Sequence, residues 1–82
     1  MSIDEYIEFF KNKDGVNSVD VQRKYVNGYD EIKVTLFIGE TNKKWGVMFR
    51  LGKGENEERL ISEVKENALR KIDFVTGNEI SQ

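Results

Sequence analysis

The groups in this chain that could do chemistry are few. Adjacent carboxylates stand at Glu57 and Glu58, hydroxyls at Ser2 and Ser62, and two glycines bracket Lys53 in the run Leu51-Gly52-Lys53-Gly54. Each lacks the partner its chemistry needs. The carboxylate pair falls on an exposed helical turn, where nothing sets the two groups apart as acid and base. A serine becomes a nucleophile beside a base, and the chain has no His and no Cys. The glycine pair has neither the spacing nor the Lys-Ser/Thr pair of a phosphate-binding loop. Without His and Cys, the usual zinc ligands and any disulfide framework are missing as well. Catalysis, a metal and a cofactor are therefore not expected, and function has to be sought in a binding surface.

The elements that would present such a surface are legible from periodicity. With 82 residues the chain has room for a single domain, 1–82, with one small core. No run of about 18 apolar residues is present and no charged-then-apolar leader opens the chain, so a soluble protein of the reducing cytoplasm, away from membranes, is expected. The formal charge of -2 hides a partition. Residues 11–53 carry nine Lys/Arg against five Asp/Glu, whereas residues 1–10 and 54–82 are acidic.

Ser2 and Glu5 have the spacing of a capping box, with Met1 and Tyr6 placed as a hydrophobic staple. A helix is predicted over about 3–13, lined by Ile3, Tyr6, Ile7 and Phe10 at helical spacing, and Gly15 is its natural stop. From residue 18 the period changes to two. A strand over about 18–26 runs into Asn27-Gly28, a strong two-residue hairpin signal, and a second strand over 29–38 returns. Counting outward from that turn, Val26 faces Tyr29, Lys24 faces Glu31, Gln22 faces Lys33, Val21 faces Val34 and Val19 faces Leu36. A four-residue loop, Gly39 to Asn42, leads to a third strand over 43–51 with Leu36 facing Trp45, Val34 facing Val47, Ile32 facing Phe49 and Glu31 facing Arg50. Asn56 can cap a second helix over about 57–72, with Leu60, Ile61, Val64, Ala68 and Ile72 on its buried stripe. A turn at Thr76-Gly77-Asn78 and a polar tail over 73–82 are expected to follow, with Phe74, Val75 and Ile80 available to fold back on the core.

The expected fold is α+β: a two-layer α-β-β-β-α domain, a three-stranded antiparallel meander with both helices on one face. Val19, Val21, Ile32, Val34, Leu36, Trp45, Val47 and Phe49 make the covered face, and Leu36 and Trp45 are expected to be indispensable to it. The other face collects Lys24, Glu31 and Arg50, then Gln22, Lys33 and Met48, then Asp20, Thr35 and Gly46, then Phe37 and Lys44. Two readings stand for it. It is either a charge-laddered solvated face or a nucleic-acid platform, with Lys33, Lys44 and Arg50 for phosphates and Phe37 for stacking. Phe9 and Leu69 lie off their stripes and form either a contact between the helices or an exposed patch.

Two resemblances bear on this order of elements. It resembles the double-stranded-RNA-binding domain, but the segment matching that family's Lys-rich second-helix start is Gly54-Glu55-Asn56-Glu57-Glu58, whose acids would repel RNA. The opening is similar to that of small phage-encoded anti-CRISPR inhibitors of type II-A Cas9, through Met1, Ile3, Ile7 and the run Lys11-Asn12-Lys13-Asp14, followed by three strands and a helix introduced by Glu55-Asn56-Glu57. That resemblance implies a non-enzymatic inhibitor of phage or mobile-element origin that occupies a host nuclease or defence complex, with a protein as partner. It also implies partner contacts at Asp14, after the first helix, and at Glu40 and Asn42, in the loop between the second and third strands. The alternative expectation is a nucleic-acid-binding domain that uses the open sheet face, through Lys33, Phe37, Lys44, Met48 and Arg50.

Overall fold

The computed structural model describes residues 1–52 and 57–80. Its elements run α1 (Ile3–Lys11), β1 (Val16–Val26), β2 (Tyr29–Ile38), β3 (Lys43–Leu51) and α2 (Glu57–Ile80), the α-β-β-β-α order of an α+β fold. The strand order is β1-β2-β3, an open antiparallel meander with β2 in the middle. Every strand pairing expected from the two turns is present, from Val26 opposite Tyr29 to Val19 opposite Leu36, and from Glu31 opposite Arg50 to Leu36 opposite Trp45. The turns hold this register because Asn27 and Gly28, at φ 52° and 84°, adopt the left-handed pair a two-residue hairpin requires.

The capping box is formed: Glu5 N–H donates to Ser2 Oγ at 3.2 Å, and Ser2 N–H donates to Glu5 Oε1 at 3.1 Å. α1 nevertheless ends at Lys11, two residues before the expected end. Asn12 caps it with both its backbone N–H and its side-chain amide on the Glu8 carbonyl. The chain then turns sharply at Gly15, φ 93°, where a Cβ would lie 3.0 Å from the Thr76 methyl of α2. β1 in turn starts at Val16 instead of 18. Of the two extra residues, Val16 pairs with Ile38, while Asn17, at a bulge between Val16 and Ser18, has no partner in β2.

The largest difference lies at the other end. The expected turn at Thr76-Gly77-Asn78 is helical, and α2 continues to Ile80, replacing the polar tail expected from residue 73. A glycine inside a helix costs roughly 1 kcal/mol relative to Ala. Three local gains oppose that cost. Val75 is buried against the core, Thr76 Oγ1 donates to the Ile72 carbonyl at 2.8 Å, and the Glu79 carboxylate accepts the Glu40 backbone N–H. The expected Asn56 cap and the residues Lys53 and Gly54 lie outside the described residues, as does the side chain of Ile80.

The core sits between the sheet and the two helices. It comprises Tyr6, Ile7 and Phe10 of α1, Ile32, Val34, Leu36 and Ile38 of β2, Phe49 of β3, and Ile61, Ala68, Ile72 and Val75 of α2. Tyr6 centres its aromatic cluster, edge-on to Phe10 at 4.8 Å and to Phe49 at 5.2 Å. Val19, Val21, Trp45 and Val47 point the same way but are half-buried, because they lie on edge strands. Phe9 and Leu69 pack against the core, with Lys65 Nζ 4.2 Å above the Phe9 ring, so they form an edge contact at the helices and not an exposed patch. No described helix is long and apolar enough to cross a membrane.

Candidate binding surface

With both helices on one face, the alternation of β2 decides what the other face displays. Tyr29, Glu31, Lys33, Thr35 and Phe37 alternate with the inward-facing Ile32, Val34, Leu36 and Ile38. Their partners across the ladder complete the rows. Glu31 stands between Lys24 and Arg50, Lys33 between Gln22 and Met48, Thr35 between Asp20 and Gly46, and Phe37 between Ser18 and Lys44. No described element covers these rows.

The electrostatics are mixed. Arg50 Nε lies 3.3 Å from Glu31 Oε1, with the Arg50 side chain 70% and the Glu31 side chain 20% exposed. An ion pair this exposed contributes about 0–1 kcal/mol, so its effect here is to neutralise one cation of the face. Lys24, Lys33 and Lys44 have no ion pair among the described residues, and neither does Asp20. Lys44 Nζ sits 5.9 Å from the centre of the Phe37 ring, which leaves that ring half-buried beneath a cation. Met48, in the middle row, is 51% exposed. Beside it a shallow depression lies over Gly46, bounded by Asp20, Lys33, Phe37 and Lys44.

The structure thus brings Lys33, Phe37, Lys44, Met48 and Arg50 onto one surface, as the alternation implied. It adds Tyr29, which is 48% exposed and lies over Gly52, where a Cβ would meet the ring at 2.6 Å. The signal for Tyr29 was its even spacing from Glu31, Lys33 and Phe37, masked in the sequence by its place beside a turn.

Asp14, Glu40 and Asn42 gather separately, at the end of the sheet beyond Phe37 and Lys44. The turn carrying Asp14 and the turn carrying Glu40 and Asn42 are joined by Gly39 N–H donating to the Gly15 carbonyl at 2.9 Å. Asn17 Nδ2 completes the joint with the Gly39 carbonyl at 2.7 Å and Asn42 Oδ1 at 2.6 Å. Asp14 and Glu40 are both exposed, but the second turn continues directly into Lys43 and Lys44, so this end is not uniformly acidic. Among the described residues no group of His, Cys, Asp or Glu is arranged to hold a metal.

No family model, curated protein or solved structure matches this chain.

Proposed function

We propose that this protein is a non-enzymatic binding protein that acts by laying the open face of its sheet on a protein partner. The observation that carries this reading is that uncovered face, where half-exposed Met48 stands beside Lys33 in the middle, with Tyr29 and Arg50 toward one end and Phe37 toward the other. Aromatic residues, Met and Arg are the types enriched where proteins meet, and a rim of charge sets register and specificity around them. The anti-CRISPR-like opening directs the choice of partner to a Cas9-type nuclease, with the Asp14 and Glu40 turns at one end of the same surface. A phage or mobile-element inhibitor working in the host cytoplasm fits a chain with no Cys. The reading predicts that excess protein slows DNA cleavage by a type II-A Cas9 in a purified assay. Unchanged cleavage at saturating protein would remove Cas9 as the partner.

A second reading rests on a different observation: Lys24, Lys33 and Lys44 stand on this face without ion pairs among the described residues, and Lys44 lies over Phe37. A single-stranded nucleic acid could lay its phosphates along such lysines and stack a base on Phe37. That reading predicts a gel shift at low salt that weakens as salt rises and when Lys33, Lys44 and Arg50 are neutralised. The absence of any shift at low salt would eliminate it.

A further inference from the structure

The sheet ends on one side in β1, whose pairing partner among the described residues is β2 alone. Asn27-Gly28 is a two-residue turn, so Val26 and Tyr29 form its closing hydrogen-bonded pair. From there the pattern alternates. Val26, Lys24, Gln22 and Asp20 turn their backbone groups toward β2, while Tyr25, Arg23, Val21 and Val19 turn theirs to the free edge. That edge is long, and the bulge near its start does not interrupt residues 18–26.

We propose that this edge pairs antiparallel with β1 of a second copy, about a twofold axis at Gln22. The register follows from charge. An axis at Gln22 sets Asp20 opposite Lys24 of the second copy, twice over, and sets Gln22 opposite itself. Both positions are non-hydrogen-bonded pairs, in which side chains approach closest. An axis at Asp20, Arg23 or Lys24 would set like charges against each other, and an axis at Val21 would leave Asp20 and Lys24 facing neutral groups. Asp20 and Lys24 are exposed and without an ion pair among the described residues, so both are free to engage.

On the inner side the same register lays Tyr25 on Val19 of the second copy. Tyr25 is 73% exposed, the most exposed of the large apolar side chains described, and an aromatic residue opposite a β-branched one is a favourable cross-strand pair. The flank between α1 and β1 is lined by Asp4, Glu8, Lys11 and Arg23, equal in acids and bases, so it is not self-repelling. Edge-facing residues 19, 21, 23 and 25 would form about eight backbone hydrogen bonds across the axis. The opposite edge does not offer this. β3 carries Lys43, Lys44 and Arg50 with no acid, so a second copy of it would meet only like charge. A twofold axis normal to the sheet leaves both open faces on the same side, joined into one six-stranded surface.

The test is sedimentation velocity of the full chain from about 10 µM to about 1 mM, the range that brackets a weak edge-paired dimer. The wild type is expected to pass from monomer to dimer and no further. Asp20→Lys and Lys24→Asp, each alone, are expected to weaken the dimer at least about tenfold, since each creates two like-charge pairs. The double exchange Asp20→Lys with Lys24→Asp is expected to restore affinity to within about threefold. Lys24→Asp also faces Glu31 in its own chain, whereas Asp20→Lys faces Thr35, so the Asp20 variant reports on the dimer with its fold undisturbed. A wild type that stays monomeric throughout, one that grows beyond a dimer, or a dimer indifferent to both single reversals would overturn the proposal. So would a double exchange that fails to recover.

Discussion

The carboxylate of Glu79 accepts the backbone N–H of Glu40 through both oxygens, at 2.9 and 3.1 Å. This contact fastens the last turn of α2 to the turn between β2 and β3. The contact also needs Gly39, at φ 76°, because a Cβ there would run into the Glu79 carboxylate and lie 3.0 Å from Val75. The helix that covers the sheet and the turn that sets the β2–β3 register therefore depend on one another.

Removing the clamp by Glu79→Ala is expected to cost about 1 kcal/mol, the net worth of a partly exposed hydrogen bond to a charged acceptor. In a domain this small that lowers the melting temperature by about 4–8 °C. Gly39→Ala is expected to cost more, about 1–2 kcal/mol from the left-handed backbone alone, with the collision added. In the Glu79→Ala background the collision with the carboxylate is relieved, so the two losses should be less than additive in thermal melts.

Tyr6 is fully buried, and its hydroxyl has no hydrogen-bond partner among the described residues. Burial pushes its pKa from 10.0 up to about 12. Tyr6→Phe keeps the ring contacts and deletes an unsatisfied polar group, so its stability at neutral pH should equal or exceed that of the wild type. The sign at high pH follows from proton counting. Between pH 10 and 12 the unfolded phenol has lost its proton while the folded one keeps it, so the wild type loses stability as pH rises through that window. Denaturant melts at pH 9 and pH 11 should show a smaller loss for Tyr6→Phe.

At the opposite limit, the hydrogen bonds from Ser2 hold the Glu5 carboxyl below its ordinary 4.5, chiefly through the Ser2 backbone. A lowered folded pKa stabilises above the unfolded value and is lost as pH falls through the folded one. Acid should therefore loosen the start of α1. Ser2→Ala, which removes the cap hydroxyl, is expected to cost about 0.5–2 kcal/mol at pH 7. Circular dichroism melts between pH 7 and pH 3 should converge for wild type and Glu5→Gln as the wild-type carboxyl takes up its proton.

Leu36 is fully buried on the central strand, while Trp45 is half-buried on an edge with its indole N–H lacking a partner among the described residues. Leu36→Ala should cost about 2–5 kcal/mol, enough to unfold much of a marginal domain. Trp45→Ala should cost less, since part of its ring already faces solvent and its unsatisfied N–H goes with it. Urea midpoints of the two variants give the order directly.

These cases also show how far local rules reach. Strand register was legible because Asn27-Gly28 and the four residues 39–42 are turns whose lengths leave one alignment of apolar and charged partners. The residues of the open face followed from that register. What local rules could not supply was α2 beyond Asp73, because Thr76-Gly77-Asn78 has turn chemistry. The helix persists there through Val75, Thr76 and Glu79, whose partners are the core, a carbonyl one turn back and a distant strand turn. The bulge at Asn17 was hidden for the same reason: its side chain binds Gly39 and Asn42, far away in the chain. Asp14, Glu40 and Asn42 reached one end of the sheet through those long-range bonds.

The central claim is that the open face of the sheet binds a protein. Its most direct test compares affinity capture from nuclease-treated host lysate by the wild type and by a variant carrying Lys33→Glu and Met48→Lys, which face each other as opposite charges. Both residues are exposed and outward-facing, so the variant should melt within about 0.5 kcal/mol per substitution of the wild type. The account predicts a protein retained by the wild type after nuclease treatment and lost with the variant. Equal retention by both, or loss of every partner on nuclease treatment, would contradict it.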